Sequence, residues 1–195
     1  SRIHDVNSRL ERLQEKLKTR DSDQRTVIQS TDQLTCKQLL RTLRSQLDGQ
    51  VQEIDYPALR LLKTCEALLI DEVDSIQFFQ EQAKETDVWM TLTDTKKQVP
   101  IRIRCPAKVT QPMPVLFAFH GAGGSENMFF ETYGAGRLVE LATKRGWIVV
   151  APRQGLLGLN LSCRAMLDVL SQYYDVDPKQ VYFVGHSMGA AQVMR

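Results

Sequence analysis

No run of apolar residues approaches the roughly 20 that a bilayer-spanning helix requires, so no transmembrane segment is expected. The four cysteines, Cys36, Cys65, Cys105 and Cys163, are widely spaced and form no Cys-x-x-Cys pair. That removes zinc-ribbon and thioredoxin-like chemistry and leaves buried free thiols as the reading. Net charge is also small, at a formal +2 with basic residues scattered among acids, which argues against nucleic acid as a partner. Neither G-x-x-x-x-G-K-[S/T] nor G-x-G-x-x-G occurs, so a nucleotide cradle is not expected; no cofactor and no metal site are called for. A secretory signal is not visible, but the chain opens on Ser1 and a leader could have been removed, so localisation stays open. What remains is an ordinary composition, 43% hydrophobic and 25% charged over 195 residues, able to bury a sizeable core.

Residues 1–82 read as a helical region. Ile3, Val6, Leu10, Leu13 and Leu17 alternate spacings of three and four and line one helical face, which Asp21-Ser22-Asp23 is expected to break. A second helix is predicted from Asp32 to Leu47 with Leu39, Leu40, Leu43 and Leu47 inward, and a third from Ala58 to Gln82 carrying Leu61, Leu62, Cys65, Leu68, Leu69, Val73 and Ile76. A small hairpin or bundle satisfies these faces. The first heptads also admit a coiled coil that dimerises the protein, but they fall short of the three or four heptads that would argue for one, and packing within the chain is preferred.

From residue 83 onward the period changes. Val88–Leu92 and Val99–Arg104 read as two strands joined by the polar turn Asp94–Lys97, with Pro100 suited to an edge strand or a strand's start. Val115–Phe119 and Trp147–Ala151 are apolar runs of the kind covered on both faces, and predicted helices at Ala135–Arg145 and Ser162–Tyr174 alternate with them. Strand and helix alternate, so the fold class is α/β.

Val181-Tyr182-Phe183-Val184 leads into Gly185-His186-Ser187-Met188-Gly189 and a helix-forming tail. A G-x-S-x-G pentapeptide between strand and helix turns the chain so sharply that only glycine tolerates the crowding beside a strained, exposed serine. A second glycine-rich turn, His120-Gly121-Ala122-Gly123-Gly124-Ser125-Glu126, also leaves a strand and enters a helix. Ser187 is the candidate nucleophile, for attack on an ester or amide carbonyl. Of the three histidines, His4 lies on the first helix, His186 sits inside the pentapeptide, and His120 opens the upstream turn, where bracing that turn is preferred over catalysis.

Val115–Glu126, Arg145–Pro152 and Val176–Gly189 together resemble the α/β-hydrolase superfamily, and within it esterases of the polyhydroxybutyrate depolymerase and feruloyl esterase type. The likeness covers residues 86–195. Ala190 stands where these esterases often have glycine and Gln180 where they often have arginine, which blurs the subfamily more than the chemistry. The resemblance implies an antiparallel opening pair of strands followed by parallel ones, a truncated α/β-hydrolase sheet preceded by the small helical region. It implies an oxyanion hole from the backbone N–H groups of Met188 and Ala122, supported by His120, Gly121, Gly123 and Gly124 in the loop and by Gly185, His186 and Gly189 around the serine. Acid and histidine follow the nucleophile in this order of roles, so both are expected beyond Arg195, and the chain by itself is expected to be inactive; Asp168 and Asp175 are not nominated. The substrate implied is a small-molecule or polymeric ester, and Gly155–Leu161 is a candidate acyl or aryl pocket wall. Two other readings stand beside it: a prolyl oligopeptidase-like peptidase, disfavoured by a short helical segment where a propeller belongs, and a non-catalytic helical interaction module carrying a hydrolase-like domain.

Overall fold

The computed structural model describes residues 2–23, 31–50, 56–70, 74–94, 97–109, 111–155 and 162–194, in two compact units, Ser1–Ser75 and Ile76–Arg195. The first holds helices α1 (Arg2–Asp23), α2 (Thr31–Leu47) and α3 (Ala58–Leu68). Val6, Leu10, Leu13 and Leu17 of α1 are buried, as are Leu39, Leu40 and Leu43 of α2 and Leu61, Leu62, Cys65 and Leu68 of α3. Arg9 donates twice to Glu66, through Nε at 3.0 Å and Nη2 at 2.9 Å, tying α1 to α3.

Two sequence expectations fail here, each for a local reason, and one holds. The break expected at Asp21-Ser22-Asp23 is where α1 ends, its last residue being Asp23. Leu47, expected inward, is only half-buried at the last position of α2. The predicted third helix is two: α3 ends at Leu68, and α4 (Ser75–Glu85) starts after Asp74, a residue type favoured at helix starts. The restart shifts the phase, so Ile76 is exposed while Phe79 and Ala83 are buried; Val73 lies outside the described residues.

In the second unit, strands β1 (Val88–Asp94), β2 (Lys97–Arg104), β3 (Met113–Phe119), β4 (Ile148–Pro152) and β5 (Val176–Gly185) form one sheet in the order β1-β2-β4-β3-β5. β2 runs antiparallel to β1 and β4, and β3 runs parallel to β4 and β5. The class is α/β. The hairpin strands extend further than their apolar runs, so that Asp94 pairs with Lys97; Thr95 and Lys96 lie outside the described residues.

Pro100 sits neither on an edge strand nor at a strand's start. Its strand lies between two others, and its carbonyl accepts from Arg153 N–H (2.8 Å) just past the point where the β2–β4 ladder begins at Ile101↔Pro152. The N–H that proline lacks faces that same side, where the ladder has already ended.

Leu116 and Ala118 of β3 pack with Val149 and Ala151 of β4 beneath Phe129, Val139 and Ala142, residues of α5 (Met128–Glu131) and α6 (Arg137–Lys144). Phe117 and Phe119 point to the opposite face and stack on Phe183, with centroids 5.9 and 6.2 Å away. The predicted helix from Ala135 begins only at Arg137, because Gly134, Ala135 and Gly136 are left-handed (φ 60°, 49° and 75°). At Gly136 any Cβ would meet the Phe130 carbonyl oxygen at 2.6 Å, so only glycine fits. Helix α7 (Cys163–Leu170) is capped by Ser162, whose Oγ accepts from Ala165 N–H, and ends four residues before Tyr174. β5 takes in Asp177-Pro178-Lys179-Gln180 through an irregularity opposite Met113–Val115. It is the sheet's edge, with Tyr182 and Phe183 exposed, and α8 (Met188–Val193) follows it.

All four cysteines are free, and Cys36, Cys65 and Cys105 are buried. Burial pushes the Cys105 thiol from an ordinary 9.0 up to about 12. A folded pKa raised above the unfolded one contributes stability that is complete below the unfolded value and lost as pH rises through the folded one. Stability is therefore expected to fall between pH 9.0 and about 12, with Cys105 supplying on the order of 4 kcal/mol of the decline. Thermal melts across that range should show a shallower slope for Cys105→Ala than for the wild type; identical slopes would remove Cys105 from the explanation.

Candidate active site

Register brings the two glycine-rich turns together. β3 and β5 are parallel neighbours with Phe119 opposite Gly185, so His120–Glu126 and His186–Met188 leave the same carboxyl edge side by side. Ser187 lies between β5 and α8 with φ 54° and ψ −116°, one of two non-glycine residues with positive φ among those described. Such a conformation costs on the order of 1–3 kcal/mol and persists only where the surroundings impose it. Here His186 N–H donates to the Phe119 carbonyl (3.0 Å), Gly189 N–H to the His186 carbonyl (2.9 Å) and Ala190 N–H to the Ser187 carbonyl (3.0 Å).

The flanking glycines are required by contact. A Cβ on Gly185 would come within 2.5 Å of Ala190 N, and one on Gly189 would lie 2.6 Å from the carbonyl carbon of Phe119 and 2.7 Å from the His120 oxygen. β5, the start of α8 and the end of β3 therefore touch backbone to backbone. Gly121 brings the upstream loop close to the serine: a Cβ there would stand 3.3 Å from Ser187 Cβ and 3.1 Å from His186 Nδ1.

Ser187 is exposed and caps no helix N–H with its side chain. Ala122 and Gly123 (φ 77°) form the exposed tip of the upstream turn, which Gly124 N–H closes onto the Gly121 carbonyl at 3.2 Å. Among the described residues neither the Met188 N–H nor the Ala122 N–H finds a protein acceptor.

His120 is buried, with both ring nitrogens engaged by backbone. Nε2 accepts from Gln154 N–H at 3.0 Å, so the proton sits on Nδ1 and is donated to the Gly121 carbonyl at 2.7 Å. Gln154 Nε2 in turn donates to the His120 carbonyl. His186 is exposed and packs on Tyr133, ring centroids 4.4 Å apart, and the Tyr133 hydroxyl accepts from Gly121 N–H at 3.3 Å. His4 lies on α1; Asp168 pairs with Arg164 along α7 at 3.0 Å. Asp175 is exposed ahead of β5, and Leu156–Leu161, most of the proposed pocket wall, lies outside the described residues.

Several supports have no signature in the sequence. Arg153 forks onto buried Glu126 (2.6 and 2.8 Å), fastening the upstream loop to the exit of β4. Arg102 of β2 is buried between the rings of Trp89 and Phe130, each 4.5 Å from its guanidinium carbon. It donates to Asp87 (2.6 Å), to Glu131 (2.7 Å) and to Asn127 Oδ1 (3.0 Å), and Trp89 Nε1 shares that last oxygen. The loop after β3 is thereby anchored at His120, Glu126 and Asn127. Among the described residues no cluster of three or more His, Cys, Asp or Glu could hold a metal, and no helix is long and apolar enough to cross a membrane.

No family model matches the chain, and no curated protein matches it. Similar solved structures include an S-formylglutathione hydrolase from Agrobacterium tumefaciens, 17% identical with a TM-score of 0.47 over 55% of this chain and 51% of that one. Est1E from Butyrivibrio proteoclasticus is 17% identical with a TM-score of 0.42, covering 54% and 43%. A ferulic acid esterase is 18% identical with a TM-score of 0.42, covering 53% and 51%. These neighbours are α/β-hydrolase esterases. The chain spans about half the length of the structures it matches.

Proposed function

We propose that the protein is a serine hydrolase that cleaves carboxylic esters through an acyl-enzyme on Ser187. The observation that carries this reading is the strained, exposed serine at φ 54°, held between β5 and α8 and next to a loop braced on three sides. Strain of this kind is expected where a hydroxyl must be presented, and a structural serine at a helix start would instead cap it.

In this reading Oγ of Ser187 attacks the ester carbonyl carbon and the carbonyl oxygen takes up the negative charge. The N–H groups of Met188 and Ala122 donate to that oxygen, each worth roughly 2.7–4 kcal/mol in the transition state. Collapse expels the alcohol, which carries away the proton taken from Ser187, and water then cleaves the acyl-enzyme. His120 is the brace of the oxyanion loop, since both its nitrogens are committed to backbone. The general base and its acid are assigned to residues following Arg195, in keeping with the order of roles along such chains.

Preference for esters over amides follows from the esterase-like motifs alone. Short-chain p-nitrophenyl esters and proline-containing peptide amides, compared by kcat/KM on the full-length protein, test it. Esters are expected to be the faster substrates; faster amide cleavage would move the assignment to a prolyl oligopeptidase-like peptidase.

A further inference from the structure

Between α1 and α2 runs an open groove of about 550 Å³, within the range of ligand sites. Gln14, Leu17 and Lys18 of α1 form one wall, and Lys37, Leu40, Arg41 and Arg44 of α2 the other. Four of these seven residues are cationic and none is acidic. Leu17 and Leu40 are buried beneath them, so the floor is apolar and the walls are the aliphatic stems of lysine and arginine.

We infer that this groove docks an acidic peptide segment of a partner protein, one that carries carboxylates on either side of an apolar side chain. Charge complementarity selects the partner's sign. Spacing selects its form: Lys37, Arg41 and Arg44 fall at i, i+4 and i+7, one face of α2, and spread their charge over about 10 Å of helix axis. A line of that length matches carboxylates distributed along a chain and exceeds what a single small acid could engage. Among the described residues no aromatic side chain lines the groove to stack bases, which disfavours nucleic acid. A concave site likewise suits a peptide better than the flat surface of a bilayer.

Arg44 and Lys18 hold their neighbours loosely. Arg44 Nη2 is 3.9 Å from Glu11 Oε1 and 3.4 Å from Gln14 Oε1, and Lys18 Nζ is 3.4 Å from Glu15 Oε2. Glu11 and Glu15 are both well exposed. Exposed pairs of this kind contribute about 0–1 kcal/mol and exchange readily for a better-placed carboxylate.

Fluorescence anisotropy with a short labelled peptide containing Glu-Glu-Leu-Glu-Glu, against its Lys-Lys-Leu-Lys-Lys counterpart, tests the inference on the whole chain. Saturable binding of the acidic peptide that weakens with salt is expected, together with about a tenfold loss in the Lys37→Glu/Arg41→Glu double variant and a smaller loss in Arg41→Ala. Circular dichroism confirms that both variants keep their helices; if the double variant does not, Arg41→Ala alone decides. Equal affinity for both peptides, or unchanged affinity in a folded variant, overturns the proposal. Binding to phosphatidylserine vesicles without binding to the acidic peptide also overturns it, in favour of a lipid surface.

Discussion

Ser187→Ala in the full-length protein is expected to lower ester turnover by roughly 10⁶-fold, the loss typical of removing a serine nucleophile. The fold should survive. The side chain is exposed and caps nothing, so deleting its oxygen is expected to change stability by no more than about 0.5 kcal/mol in a urea titration. Alanine keeps the strain, because φ 54° is as unfavourable for it as for serine. Ser187→Gly should therefore be as inactive as Ser187→Ala yet more stable, by up to about 1 kcal/mol, since glycine accepts that φ without penalty. A Ser187→Ala enzyme retaining most of its turnover would place the chemistry elsewhere.

Arg102→Ala is expected to cost about 3–5 kcal/mol, the range for breaking a buried ion pair by removing one partner. The substitution takes the guanidinium from buried Asp87, empties the slot between Trp89 and Phe130, and cuts the link from β2 to Asn127 and Glu131. Lysine should recover only part of this, because three separated acceptors need a planar fork that an ammonium cannot supply. Arg137→Ala, which breaks an exposed pair with Glu140, serves as the contrast and should fall within about 0.5 kcal/mol. Urea midpoints with unchanged m-values measure both. Equal costs at the two arginines would contradict the role given to burial.

Why some of this was legible in the sequence and some was not follows from the range of the forces involved. Helices with one apolar stripe, and strands such as Val115–Phe119 with apolar residues throughout, announce themselves because burial acts on local period. The contact of Gly185 with Ala190 and of Gly189 with Phe119 was foreshadowed by the pentapeptide, since backbone approach leaves glycine no substitute. Element ends were less legible. The restart at Ser75 split a helix that periodicity carried through to Gln82, and the left-handed run Gly134–Gly136 delayed one that periodicity began at Ala135. Least legible were the loop's anchors. Arg102 alternates with Ile101 and Ile103 as a solvent-facing residue would, and it is buried only because the segment after β3 folds over it with Asn127, Phe130 and Glu131. Gln154 likewise has no local pattern; its partner His120 lies 34 residues away and meets it only once β3 and β4 are paired.

The central claim is that Ser187 is the nucleophile, and covalent capture tests it most directly. Full-length protein is treated with a fluorophosphonate probe, digested, and mapped by mass spectrometry. One adduct is expected, on the peptide spanning the turn from β5 into α8, and none on that peptide in Ser187→Ala. An adduct on another residue, or equal labelling of wild type and Ser187→Ala, would contradict the account.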